Sequence, residues 1–158
     1  MKLNHTLPAI ALITLSSHAS AQSYASYSNE RFGFTLSYPG DFKMDPPPAN
    51  GDGGRFTNAL GISITASGSN NALEDSISTK MEALTPWFDS ITYRAKGKNW
   101  FVLSGFKGKD VLYMKVFVGK GSINQLWIQH PATLTKTFAA ATARIVSSFK
   151  PGDLTETF

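Results

Sequence analysis

The sequence predicts an α/β domain of the α+β type: a mostly antiparallel sheet of about six or seven strands flanked by two main helices. Three observations predict it. From Trp100 to His130, apolar positions alternate along segments broken by short turns rich in Gly and Lys, the pattern of three consecutive antiparallel strands. Two other stretches, Leu73 to Leu84 and Leu134 to Ile145, repeat apolar residues at helical spacing instead. After the N-terminus, no apolar run approaches the roughly 20 residues a membrane-spanning helix needs.

Taken in order, Met1 to Ala21 has Lys2 at its head, an apolar run from Leu7 to Leu15 and Ala19-Ser20-Ala21 at its end, the anatomy of a cleavable signal peptide. The mature protein is therefore expected to be exported, periplasmic or secreted, with no transmembrane segment. Residues 22–29, Ser- and Tyr-rich without periodicity, read as a flexible leader. A single domain is expected over 30–150. Phe32, Phe34, Leu36 and Tyr38 alternate with small or polar residues as a half-buried strand ended by Pro39-Gly40. Asp45 to Gly54, with three prolines, reads as an exposed loop.

Arg55 to Asn58 and Ile62 to Ala66 then read as short strands. Asn71 with Glu74 fits a capping box for a helix carrying Leu73, Ile77, Met81 and Leu84, stopped by Pro86. Ile91, Tyr93 and Ala95 mark a further strand before the central three. Leu134, Phe138, Ala141 and Ile145 form the stripe of the second helix, which alanines favour. Residues 151–158 remain as a C-terminal tail.

Within the central stretch, Lys107-Gly108-Lys109-Asp110 suits a two-residue type II′ turn with Gly108 at its first central position. That register places Trp100, Val102, Ser104, Phe106, Val111, Tyr113, Lys115 and Phe117 on one face, joined by Leu126 and Ile128. Phe101, Leu103, Leu112, Met114, Val116 and Val118 take the other. Both faces are largely apolar, so each must be covered or must bind something, and the helices predict covering.

Several phrases resemble a known group: Phe32-Gly33-Phe34 leading to Ser37-Tyr38-Pro39, Gly54-Arg55-Phe56, Gly68-Ser69-Asn70-Asn71, Asn99-Trp100-Phe101-Val102-Leu103-Ser104-Gly105, Tyr113-Met114-Lys115, His130-Pro131 and Arg144 to Lys150. Across residues 30–150 the chain is similar to small secreted bacterial proteins of uncharacterised role that share a fold with PsbP, the extrinsic photosystem subunit, and with the yeast Ran-binding protein Mog. The resemblance implies an antiparallel sheet between helices and a non-catalytic domain that binds other proteins. It transfers no metal-binding or partner-binding residue.

The chemistry available to the mature chain is narrow. His5 and His18 fall in the signal segment, leaving His130, and there is no Cys. A Ser-His-Asp triad lacks its surrounding motif, and zinc sites built on Cys or several His lack ligands. Asp41, Asp45, Asp52, Glu74, Asp75, Glu82 and Asp89 offer carboxylates for glycoside hydrolysis, but their spacing selects no pair. Asn50-Gly51-Asp52-Gly53 lacks the further acidic ligands of a calcium loop. No catalytic residue, cofactor or metal is expected.

Charge is unevenly spread along a chain of formal charge +4. Residues 22–93 carry four basic and eight acidic side chains, and residues 94–158 carry ten and three. Arg94, Lys96 and Lys98, with Lys107 and Lys109 in the first hairpin, are the candidate partner-binding residues, set against the plainer role of solubilising or edge-guarding lysines. They would attract another envelope protein or an anionic envelope component. Nucleic acid is not expected, given export and modest charge. Trp87, Trp100 and Trp127 offer either an apolar pocket or core, and the opposite faces of Trp100 and Trp127 favour core. The leading expectation is an exported, non-enzymatic binding or accessory protein of the bacterial cell envelope. The alternative is a carrier of a small apolar or lipid-like ligand between sheet and helices.

Overall fold

Strands β7 (Trp100–Lys107), β8 (Asp110–Val118) and β9 (Ser122–Pro131) form the hairpin meander at the centre of a computed structural model that describes residues 22–158. The signal peptide expected over residues 1–21 lies outside the described residues. The expected register holds: Lys107 pairs with Asp110, Val102 with Lys115, Trp100 with Phe117, and Met114 with Trp127. Gly108 sits at φ 59°, the left-handed conformation that the first central residue of a type II′ turn requires.

To this meander β6 (Ser90–Lys96) adds on one side. On the other come β5 (Ser63–Asn70), β4 (Gly53–Thr57) and the short β3 (Lys43–Met44). The result is one antiparallel seven-stranded sheet in the order β3-β4-β5-β9-β8-β7-β6. Its front face carries Val102, Tyr113, Lys115 and Leu126, and its back face carries Leu103, Met114 and Trp127.

Each face is covered over one half only. Helix α2 (Thr135–Ser148) lies across the front of the β4-β5-β9 half together with a small second sheet, β1 (Tyr24–Ser28) paired with β2 (Thr35–Pro39). Phe138, Ala141, Ile145 and Phe149 there meet Phe34, Leu36, Phe42, Phe56, Ile64, Leu126 and Ile128 in one buried cluster. Behind the other half, α1 (Ile77–Leu84) and the 3-10 turn Thr85–Trp87 close a second cluster of Leu84, Phe88, Phe101, Leu103, Leu112, Met114 and Val116.

Four local expectations need correction. The flexible leader is instead strand β1, because its partners are distant: the Tyr27 ring meets Phe56 edge-on at 5.3 Å, Arg144 stacks on Tyr24 at 3.7 Å, and the adjoining buried Asn29 donates to the Gly51 carbonyl at 2.9 Å. The cap of α1 is Ser76, not Asn71. Ser76 Oγ accepts from the Thr79 N–H at 3.2 Å while Thr79 Oγ1 accepts from the Ser76 N–H at 2.7 Å. Glu74 adopts φ 53°, which breaks any earlier helical turn and leaves Leu73 exposed, while the Asn71 amide donates to the Gly119 carbonyl at 2.8 Å. The strand expected over Phe32 to Tyr38 begins only at Thr35, with Phe32 and Phe34 buried in the preceding segment. Finally, a bulge between Ile91 and Tyr93 turns Ile91 to the back cluster while Tyr93 and Ala95 face front.

The tail has no regular structure but is fastened. Gly121 N–H donates to the Leu154 carbonyl at 3.0 Å, Gly152 N–H to Asn124 Oδ1 at 2.9 Å, and Phe158 packs edge-on against Phe32 at 5.1 Å.

Candidate functional site: an aromatic slot on the open half of the sheet

Two sheet quadrants are left without a covering helix. Behind β4, β5 and β9, Trp127 and Ile123 pack with the α1 cluster, and the remaining side chains, Arg55, Thr57, Ser63, Thr65, Ser67, Gln125 and Gln129, are polar. In front of β6, β7 and β8 they are aromatic and aliphatic. There Tyr93, Ala95, Trp100, Val102, Tyr113, Lys115 and Phe117, with Val146 of α2, line a concavity of about 420 Å³. A surface of that kind on an otherwise finished domain is the expected form of a binding site.

The register gives the concavity a direction. Ala95 pairs with Val102 and Val102 with Lys115, so these three make a floor running across the strands. Tyr93, next to Ser104 and Tyr113, makes one wall; Trp100 beside Phe117 makes the other. The outer end opens over Ala95 at the unpaired edge of β6, and the inner end stops against α2. It is a slot with a mouth and a closed end. The Trp100 wall depends on Gly97, since a Cβ there would collide with the indole.

Lys115 occupies the closed end. Its ammonium donates to the Val146 carbonyl at 3.2 Å and lies 5.2 Å from the centre of the Phe117 ring. Burial, and secondarily the like charge of Lys150, lower its pKa below the ordinary lysine value. Tyr113 is pushed up to about 12, chiefly by burial and further by Tyr93. The slot thus combines apolar walls, one cation and two phenols, without a carboxylate or carboxamide among its lining residues.

The five basic residues singled out from sequence are not brought together. Arg94 and Lys96 pair with Leu103 and Phe101 and so flank the mouth from the back of the edge strand, while Lys98 lies in the adjoining turn. Lys107 and Lys109 are at the far end of β7, where Lys107 lies 4.6 Å over the Trp87 ring, itself edge-on to Trp127 at 4.9 Å. Trp100 and Trp127 do fall on opposite faces, but only Trp127 belongs to a packed cluster; Trp100 lines the slot. His130 is buried against Phe138, and its Nδ1 lies 2.9 Å from the Pro131 carbonyl.

Four of the carboxylates serve turns and ion pairs. Asp41 accepts from Asn58, Asp89 accepts from the Gly108 N–H at 2.7 Å, Asp45 faces Arg55 and Asp75 faces Lys80. Among the described residues no three acidic or histidine side chains gather as metal ligands, and no helix is long and apolar enough to cross a membrane. Sequence reasoning placed most slot residues on one face but expected a helix above them. The available signal was Lys115, a charge in mid-strand on an apolar face.

No family model and no curated protein matches the sequence. Solved structures match the fold. Cyanobacterial PsbP (CyanoP) from Synechocystis sp. PCC 6803 superposes with a TM-score of 0.64 at 10% identity, over 85% of this chain and 95% of that one. A protein from Bacteroides thetaiotaomicron VPI-5482 gives 0.51 at 14% identity, over 75% of this chain and 44% of that one. LpqN of Mycobacterium tuberculosis, involved in cell envelope biogenesis, gives 0.49 at 15% identity, over 85% and 87%. The chain has the PsbP-like fold.

Proposed function

We propose that this protein is an exported, non-enzymatic binding or accessory factor of the bacterial cell envelope, and that the aromatic slot with the adjoining β6 edge is its contact surface. One observation carries the reading: the front of β6-β7-β8 is apolar, concave and uncovered, while every other apolar region of the sheet has a helix or second sheet over it. Arg94, Lys96 and Lys98 beside the mouth add a charge that draws an acidic partner surface or an anionic envelope component. Lys107 and Lys109, at the other end of the strand, fit a separate and weaker contact.

The carrier reading survives in altered form. The space between sheet and helices is filled by Phe138, Ile145, Phe149 and their partners, so a small ligand would use the open slot instead. Crosslinking of the tagged protein in its native envelope tests the proposal, using the parent, a Tyr93→Ser variant and a charge reversal at Arg94, Lys96 and Lys98. Capture that weakens in Tyr93→Ser supports the slot, and further loss on charge reversal supports the basic edge. Capture indifferent to both overturns the proposal.

A further inference from the structure

The closed end of the slot holds an unbalanced charge. A lysine ammonium has three donors, and Lys115 gives one hydrogen bond to a backbone carbonyl. Among the described residues the ion pairs are Arg55–Asp45 and Lys80–Asp75, so no carboxylate neutralises Lys115. Its charged neighbour, Lys150, is another cation, held at its place because its backbone pairs with Thr35 through hydrogen bonds of 3.0 Å in both directions. A half-buried cation beside a like charge is a site that gains by taking an anion.

What lies between that cation and solvent is apolar. The floor from Lys115 over Val102 to Ala95 crosses two strand spacings, about 10 Å. The walls offer ring faces and edges. The lining has no carboxylate or carboxamide to hold paired sugar hydroxyls.

We infer that the slot takes a single-chain carboxylate amphiphile head first, with its carboxylate on the Lys115 ammonium and its hydrocarbon chain over Val102 and Ala95 towards the β6 edge. The inference rests on the slot being the contact surface and names what enters it. A single ammonium at the closed end matches a singly charged head. The open mouth lets a chain longer than the slot continue past the sheet edge, so the site selects the head and the first part of the chain.

Calorimetric titration of the protein with decanoate, decanol and decyltrimethylammonium below their micellar concentrations tests this. One charge-assisted contact predicts decanoate binding about tenfold or more tighter than decanol. Lys115→Met should erase that preference by weakening decanoate, and Lys115→Arg should keep it. NMR shifts of the Val102 and Val146 methyl groups should report the ligand in both the parent and the Arg variant, so a poorly folded Met variant leaves the inference exposed to refutation. Equal binding of decanoate and decanol overturns it, as does decanoate binding without shifts at Val102 and Val146. Binding of an apolar tetrapeptide through its free carboxylate, without binding of decanoate, also overturns it by assigning the slot to a chain terminus. If decanoate fails while Tyr93→Ser still weakens envelope capture, the amphiphile is wrong and the contact surface stands; loss of both results removes both.

Discussion

The two uncovered quadrants of the sheet are the same kind of place with opposite chemistry. Behind β4-β5-β9, beside Trp127 of the α1 cluster, the side chains are Ser63, Thr65, Ser67, Gln125 and Gln129, and the Gln125 amide donates to Ser67 Oγ at 3.1 Å. In front of β6-β7-β8, Tyr93, Trp100, Val102 and Phe117 take the equivalent positions, with Tyr93 56% exposed. Polar side chains make a bare sheet face stable in water; aromatic ones leave it unfinished. Diagonal placement of α1 and α2 exposes both quadrants, and only the sequence decides which is polar and which apolar.

The largest effect expected from a single change lies outside both quadrants and calibrates them. Phe149→Ala removes a fully buried ring that meets Phe34 and Phe117, and should cost about 3–5 kcal/mol in denaturant unfolding. A loss below about 1 kcal/mol would mean that the α2-covered half is not the stability centre. Next, Gly97→Ala forces the Trp100 indole from its wall, with an expected cost of about 1–3 kcal/mol and a shifted tryptophan emission. An unchanged spectrum would contradict the wall geometry.

Smaller still is Tyr93→Ser, expected within about 0.5 kcal/mol of the parent because the ring is mostly in water. Binding of an apolar dye should nevertheless fall, whereas Thr65→Ser should alter neither. A dye signal insensitive to Tyr93 would break the contrast between the quadrants. Alkaline pH probes the same face through a titration instead of a substitution. Tyr113 stays protonated in the fold until about 12 but ionises near 10.0 when unfolded, so its contribution is present below pH 10 and lost as pH rises from 10 to about 12. Lys115 acts in the opposite sense: its lowered pKa makes stability rise with pH over the interval ending at 10.5. Tyr113→Phe should therefore reduce the alkaline loss measured by thermal unfolding.

Much of the fold was legible because its information is local. The turn at Gly108 and the alternation around it fixed the pairing of Trp100 with Phe117 and Val102 with Lys115, and the stripe Phe138-Ala141-Ile145 marked the face that α2 buries. Strand β1 was not legible, since Tyr24 and Tyr27 are held by Arg144 and Phe56 far along the chain. The slot was half legible. Periodicity assigned Trp100, Tyr113, Lys115 and Phe117 to one face, but no local signal says over which strands a helix will settle. The bulge that turns Tyr93 and Ala95 to that face depends on the pairing of β6 with β7.

On the proposed function the front quadrant is a contact surface and the back quadrant is not. The most direct measurement places a photo-crosslinking side chain at Tyr93 and, separately, at Thr65, and irradiates both proteins in the native envelope. Specific adducts from position 93, absent from position 65 and from position 93 combined with Trp100→Ala, are the predicted result. Equal adducts from the two positions, or none from position 93, would contradict it.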